Sequence, residues 1–256
     1  VVIPVLNEEH SLAECIAQLR EFLHQCLPQH QCRIVVADNG STDGTLDVAK
    51  AAAAAYPGQV AYVHLDIRGR EPRYEVRGTP IRGRGRALRK AWLESDADVV
   101  SYMDVDLSTG LDAFPTMVNG IVDKGYHVAF GSRLTKGARI TRSPKREIIS
   151  RTYNLIIRVM MQTRFRDAQC GFKALSRGAA QLLVPAIVNN HWFFDTELLI
   201  IGEKRGFHML EVPVSWDEDP DTRVKIAQTV MEDLQGLARL RLGGIPEVAL
   251  PVGLRE

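Results

Sequence analysis

The chain has 256 residues, 45% hydrophobic and 25% charged, with a formal net charge of +1. That length supports a full hydrophobic core, and the composition is that of a globular protein. A near-neutral balance excludes a general polyanion binder, so no nucleic-acid partner is expected.

Val1 to Val5 reads as a short buried strand that stops at Leu6-Asn7-Glu8-Glu9. Ser11 then caps a helix with Leu12, Cys15, Ile16, Leu19 and Leu23 at helical spacing. Arg33 to Ala37 is a second strand, ending at Asp38-Asn39-Gly40-Ser41-Thr42-Asp43-Gly44. Asp43 or Thr45 caps the Ala-rich helix that runs to Ala55, and Gln59 to Leu65 is a third strand. Arg82-Gly83-Arg84-Gly85-Arg86 leads into a helix through Leu93, and Asp98 to Met103 forms a fourth strand. His127 to Gly131 is a fifth. Gly137 to Lys145, polar and basic, reads as a mobile loop before a helix over Arg146 to Gln162. Helices over 177–184, 194–204 and 230–242 and a strand over 208–216 complete the pattern. Strands alternating with helices imply an open, doubly wound, mainly parallel sheet with its ligands at the carboxyl ends of the strands.

Asp104-Val105-Asp106 stands where the fourth strand opens into a loop. Carboxylates at i and i+2 there reach one hard cation. Mg²⁺ and Mn²⁺ take such oxygens and share them with a substrate's phosphates. Lys and Arg far outnumber Glu over 68–90 and 133–166, which suits phosphates or an anionic membrane surface, or simply solvated faces. Cys15, Cys26, Cys32 and Cys170 lack zinc-site spacing and read as reduced thiols. No apolar stretch reaches the ~18–20 residues of a membrane span. No signal-peptide pattern is present. The chain opens without Met, already inside a strand pattern, and reads as trimmed, with room for anchoring segments beyond either end.

Seven motifs in order over nearly the whole chain resemble the family-2 glycosyltransferases of GT-A fold, in the polyprenyl-phosphate (dolichyl-phosphate) hexosyltransferase branch. They are Ile3-Pro4-Val5-Leu6-Asn7-Glu8-Glu9, Asp38-Asn39-Gly40-Ser41-Thr42-Asp43-Gly44-Thr45, Asp104-Val105-Asp106, Gly131-Ser132-Arg133, Asp167-Ala168-Gln169-Cys170-Gly171-Phe172-Lys173, Phe193-Phe194-Asp195-Thr196-Glu197-Leu198, and Glu211-Val212-Pro213-Val214-Ser215-Trp216 with Thr222-Arg223-Val224. The resemblance implies one α/β GT-A domain over 1–256, with a Rossmann-like mixed, mainly parallel sheet flanked by helices. Residues 1–130 are then mainly nucleotide-sugar binding and 131–229 mainly the acceptor side. Residues 230–256 are a C-terminal helix and tail.

The implied activity is inverting, metal-dependent transfer of a hexose from a nucleotide sugar to a polyprenyl phosphate. Pro4, Leu6, Asn7, Glu8, Asp38, Asn39, Ser41, Arg84, Asp104, Val105 and Asp106 would line the nucleotide sugar, with Mg²⁺ or Mn²⁺ on Asp104 and Asp106. Turn and cap chemistry is the other reading of Asn7, Glu8, Asp38 and Asp43. Arg133, Arg146, Arg151, Gln169, Asp195, Glu197 and Arg223 would face the acceptor, and Asp104, Asp106, Asp195 and Arg133 would carry the chemistry. Arg84 replaces the Lys of the family's common Gly-Lys-Gly, keeping the cation but adding a planar fork to meet nucleotide phosphate or base. Ser108 stands where mannosyl relatives often carry Gln, which favours a UDP-hexose, glucose first, over GDP-mannose.

The glycine spacing at 83–85 rules out a dinucleotide fingerprint. The helix at 146–162 reads as core-packed or as membrane-facing through Ile148, Ile149, Ile156 and Met160. Localisation at the cytoplasmic face of a membrane follows from the resemblance. A soluble phosphorylated or saccharide acceptor and a non-catalytic nucleotide-sugar binding domain are the competing readings, and the intact acidic motifs oppose the second. A nucleotidyltransferase is disfavoured by the absence of a Gly-rich loop after the first strand.

Overall fold

The computed structural model describes residues 1–66, 83–217 and 226–249. Its strands are β1 (Val2–Val5), β2 (Ile34–Asp38), β3 (Val60–His64), β4 (Val99–Met103), β5 (Val128–Ser132), β6 (Arg139–Thr141), β7 (Phe172–Ser176), β8 (Met209–Pro213) and β9 (Ser215–Asp217). The helices are α1 (Leu12–Cys26), α2 (Thr45–Ala55), α3 (Arg84–Leu93), α4 (Phe114–Lys124), α5 (Pro144–Met161), α6 (Arg177–Ala186), α7 (Phe194–Lys204) and α8 (Ile226–Gly243).

The main sheet runs β3-β2-β1-β4-β7-β5-β8, with β7 antiparallel to both of its neighbours. The expected mixed, mainly parallel sheet flanked by helices is therefore the observed one. Period-two alternation divides its side chains between two cores. Val2, Tyr102, Val128, Phe130 and Leu175 pack beneath α3 and α5 to α8. Ile3, Met103, Ala129, Phe172 and Ala174 pack beneath α1, α2 and α4.

Pro4 helps position the site. The carbonyls of Val1 and Val5 accept from Val35 and Asn39, so the odd residues of β1 bond toward β2. Pro4 then turns its ring nitrogen toward β4, with no N–H to extend that ladder. The register there joins Val2 with Tyr102. Beyond this pair the carboxyl ends of β1 and β4 part, at the point where the strand order reverses. That is where open α/β sheets place ligands.

Several local expectations change. Ser11 makes no side-chain cap; the Glu8 carbonyl instead accepts from Ser11 and Leu12 at 3.2 and 3.1 Å. Asp43 does engage the start of α2, accepting from Thr45 N at 3.0 Å, and Glu9 Oε2 accepts from Gly44 N at 2.7 Å. The stretch 137–145, read as a loop, contains β6 and the first residues of α5. The single strand over 208–216 is two, because the β5 register ends at Pro213: Val214 N still donates to Ser132 of β5 at 3.3 Å, but its carbonyl accepts from Arg139 at 3.0 Å. That switch pairs β9 with β6. β7 and α4 were not anticipated. Arg82 and Arg223 lie outside the described residues, as does the Thr222-Arg223-Val224 motif.

Gly83 has φ +155°, and a Cβ there would meet the Asn190 carbonyl oxygen at 2.0 Å. Its own carbonyl accepts from Asn39 Nδ2 at 3.0 Å. Gly83→Ala should therefore cost about 1–3 kcal/mol from backbone strain alone. The check is a lower urea midpoint at unchanged m-value.

Candidate active site

The two loops at the ends of β1 and β2 are built from each other. Asn7, with φ +58°, accepts from Thr42 N at 2.8 Å, and its own N–H donates to Ser41 Oγ at 2.9 Å. Glu8 N donates to Thr45 Oγ1 at 2.8 Å. Asp38 is fully buried: Oδ1 accepts from Ser41, and Oδ2 lies 2.6 Å from His64 Nδ1. Asn7, Asp38 and Ser41 thus spend their side chains on loop geometry, the turn chemistry that was the other reading of Asn7 and Asp38. Asn39 differs, because its buried Oδ1 has no hydrogen-bond partner among the described residues. It is an acceptor available to a base edge. Leu6, next to Asn7 in the chain, is 40% exposed.

Asp104 directly follows β4, and Asp106 is exposed two residues on. A tight turn holds them together: Leu107, with φ +49°, donates to the Asp104 carbonyl at 3.2 Å, and Asp106 Oδ1 accepts from Ser108 N at 2.9 Å. Burial raises the Asp104 carboxyl; Asp106 and Asp195 add to this, and Arg84 pulls it back in part. A site that crowds carboxylates in this way favours a cation. Among the described residues no group of three or more His, Cys, Asp or Glu surrounds a common point. Two carboxylates on one turn nevertheless fit Mg²⁺ or Mn²⁺, which commonly complete their shell with phosphate oxygens and water. Gly171 makes room for them, since a Cβ there would lie 1.8 Å from Asp104 Oδ2.

Arg84 opens α3 and does not point to an open phosphate site. Its Nη1 donates to Asp104 at 3.0 Å and its Nη2 to Asp195. The guanidinium lies over Trp192, 4.6 Å from the ring centre. Asp195, at the start of α7, is fully buried. It accepts from Tyr102 Oη at 2.6 Å and lies 3.4 Å from Lys173 Nζ. Lys173 is itself fully buried and donates to the carbonyls of Ala168 and Cys170.

On the other side, Arg133 follows β5 and grips Asp167 with Nε at 2.7 Å and Nη2 at 2.9 Å. Burial works against the Asp167 carboxylate, but Arg133 outweighs it and holds the group down to about 2. Arg133 borders a cavity of about 500 Å³ whose other walls include Thr135, Ile140, Arg142, Glu147 and Arg151. Glu147 bridges Arg142 and Arg151. Arg142 was missed by the sequence reading; its signal was a cation just before the Ser143-Pro144 helix start. Arg146 is half-buried and not part of this wall. The loop after Asp104 joins the two halves, because Gly110 N donates to the Ser215 carbonyl at 2.8 Å and Asp217 N to that of Ser108 at 3.0 Å.

Two residues expected on the acceptor side have protein partners of their own. Glu197 is fully buried, accepts from the backbone of Val188 and Asn189, and pairs with Arg239 at 2.7 Å. Its oxygens hold the 187–190 loop and α8. Gln169 donates to Asp233 on α8 at 2.9 Å. On α5, Ile156 and Met160 pack on the core and Ile149 is half-buried, while Ile148, Leu155 and Val159 are exposed along one face. Among the described residues no helix is long and apolar enough to cross a membrane.

Gly171→Ala should push the Asp104 carboxylate off its position. Mn²⁺ binding in the presence of a nucleoside diphosphate should weaken ~10–100-fold, read by titration calorimetry, with the circular-dichroism spectrum unchanged.

The family model for glycosyl transferase family 2 matches residues 1–183. Glycosyltransferase AglD of Haloferax volcanii is 32% identical over 231 residues, 90% of this chain and 35% of that protein. A dolichyl-phosphate beta-glucosyltransferase of Drosophila melanogaster is 30% identical over 85% of this chain and 66% of its own length. A polyprenol monophosphomannose synthase of Mycolicibacterium smegmatis is 29% identical over 85% of the chain and 77% of its own. The chain thus spans about a third of AglD and about two thirds of the fly protein. Among solved structures, glucosyl-3-phosphoglycerate synthase from Mycobacterium tuberculosis with UDP aligns at a TM-score of 0.64 and 20% identity. That alignment covers 96% of this chain and 80% of the other. The fold is shared with that enzyme, and the chain belongs to glycosyl transferase family 2.

Proposed function

We propose that this domain transfers a hexose, glucose in the first place, from a UDP-sugar to a polyprenyl phosphate, with inversion. The observation that carries the reading is the pairing of two features. Asp104 and Asp106 stand at the crevice between β1 and β4, and an arginine-walled cavity stands beside Arg133. The dolichyl-phosphate beta-glucosyltransferases among the relatives support the acceptor and the sugar. Solved structures of the same fold with Mn²⁺ or Mg²⁺ and UDP support the cofactor and nucleotide.

A polyprenyl monophosphate has a second pKa of about 6, so at neutral pH it is already a nucleophilic anion. Its oxygen attacks the anomeric carbon as the bond from that carbon to the UDP oxygen breaks, and UDP leaves. Mg²⁺ or Mn²⁺ held by Asp104 and Asp106 would supply charge neutralisation for the diphosphate. The chain's own residues supply the rest. Arg142 and Arg151 wall the cavity that would receive the phosphate. Asp195 needs no role as a base here; anchored by Tyr102, Lys173 and Arg84, it serves as a fixed anion that orients those groups. Exposed Ile148, Leu155 and Val159, with Arg151 and Arg158 nearby on α5, support a membrane-surface approach of the lipid.

The test is a donor panel with short polyprenyl phosphates and Mn²⁺ or Mg²⁺, read by mass spectrometry. UDP-glucose should be the preferred donor and excess chelator should stop transfer. Preference for GDP-mannose, as the mycobacterial relative's name would suggest, moves the sugar assignment. Preference for a neutral hydroxyl acceptor overturns the mechanism. Asp104→Asn and Asp106→Asn should each abolish transfer without unfolding the chain. Arg142→Ala and Arg151→Ala should each weaken the apparent acceptor affinity ~10–150-fold, with UDP affinity unchanged. Arg133→Ala should instead lower the melting temperature, because it strands the buried Asp167.

A further inference from the structure

Asp233 lies on α8, outside every motif of the sequence reading, and is 1% exposed. Its Oδ2 accepts from Gln169 Nε2 at 2.9 Å, and its Oδ1 is buried with no hydrogen-bond partner among the described residues. The surroundings come from several elements. Tyr153 of α5 lies beside the carboxylate, and its hydroxyl is 3.2 Å from Thr196 Oγ1 on α7. Asp195 of α7, His191 before it and Glu232 on α8 are the other charged neighbours. Burial pushes the carboxyl up to about 7; Tyr153 opposes this, while Glu232 and Asp195 reinforce it. The charged form is short of donors.

Gln169 is placed by the reacting centre. The carbonyls on either side of it, Ala168 and Cys170, accept from Lys173 Nζ, the cation beside Asp195. Two residues further on, Gly171 lies against Asp104. Above pH 7 Asp233 is a carboxylate and only accepts, so the Gln169 amide turns its NH₂ to it and its carbonyl oxygen away. The pair therefore presents acceptors: the Gln169 carbonyl and the unpartnered Asp233 Oδ1. A phosphate dianion has no hydrogen to give them and is repelled by the carboxylate. A sugar hydroxyl has one.

We infer that Asp233 and Gln169 form the subsite for hydroxyls of the transferred hexose, with the C-terminal helix thereby completing the donor side of the active site. This rests on the nucleotide-sugar reading above, and it moves Gln169 from the acceptor to the donor. Asp233 acts both directly, through Oδ1, and by setting the amide of Gln169.

The test compares UDP-glucose with UDP by calorimetry at pH 8, with Mn²⁺, for the wild type, Asp233→Asn, Gln169→Ala and the double variant. Thermal melts check the fold of each. Both single variants should bind UDP-glucose ~10-fold or more weakly and bind UDP as the wild type does. The double variant should lose little beyond the worse single one, because the two residues act as one unit. Equal losses for UDP and UDP-glucose, unchanged binding, or a double variant showing the full product of the single losses would each overturn the subsite. Should Asp233→Asn melt below the assay temperature, Gln169→Ala alone decides it by the same comparison. A wild type that binds neither UDP-glucose nor GDP-mannose would overturn the functional reading itself, and the subsite with it.

Discussion

A single buried carboxylate organises the centre of this domain. Asp195 has no exposed surface, and an isolated charge in that position would cost several kcal/mol. It is stabilised by three donors from three different elements: Tyr102 on β4, Lys173 on β7 and Arg84 on α3. Lys173 is equally buried and reaches two carbonyls as well. The antiparallel strand β7 is therefore fixed at mid-sheet by its hydrogen-bond ladder and by the ion pair of Lys173 with Asp195. Once β7 is in place, Gly171 sits against Asp104, and the acidic turn has its shape.

The same constraint explains why Arg at position 84 is not a simple substitute for the Lys common in the family. A point charge on a flexible stem serves one carboxylate well. A planar fork reaches two at once, here Asp104 at the end of one strand and Asp195 at the start of a helix. One cation thus ties the side of the cleft that would hold a diphosphate to the side that would receive an acceptor. The stacking of the guanidinium on Trp192 fixes its plane.

Sequence periodicity revealed much of the frame. The strands β1 to β5 and the helices α1, α2, α3 and α7 stand where apolar spacing placed them, within a residue or two. β7 was invisible because it is buried on both faces, so it shows no alternation, and because a lysine stands in its middle. The missed α4 did carry its signals: Pro115 in the first turn and Gly125 in the left-handed conformation at the end. The strand over 208–216 hid a change of sheet at Val214, which local pattern does not encode. At the site, residue types were legible and partners were not. Nothing local tells that Glu197 is spent on a loop and Arg239, or that Gln169 meets an aspartate 64 positions away.

The first two motifs show why turn chemistry and ligand chemistry are hard to separate in such a sequence. Asn7, Ser41, Thr42 and Thr45 were chosen from the residue types that both shape loops and bind polar ligands. Here they satisfy one another across the gap between β1 and β2, and Glu9 satisfies the start of α2. What this leaves for recognition is the rigid backbone of two interlocked loops and the few side-chain atoms that the network does not consume, with Asn39 Oδ1 foremost. The cross-bonding fixes the shape of these two loops, which flank the β1 side of the crevice between β1 and β4. A nucleotide would meet a mould already formed, so binding would spend little energy on ordering it.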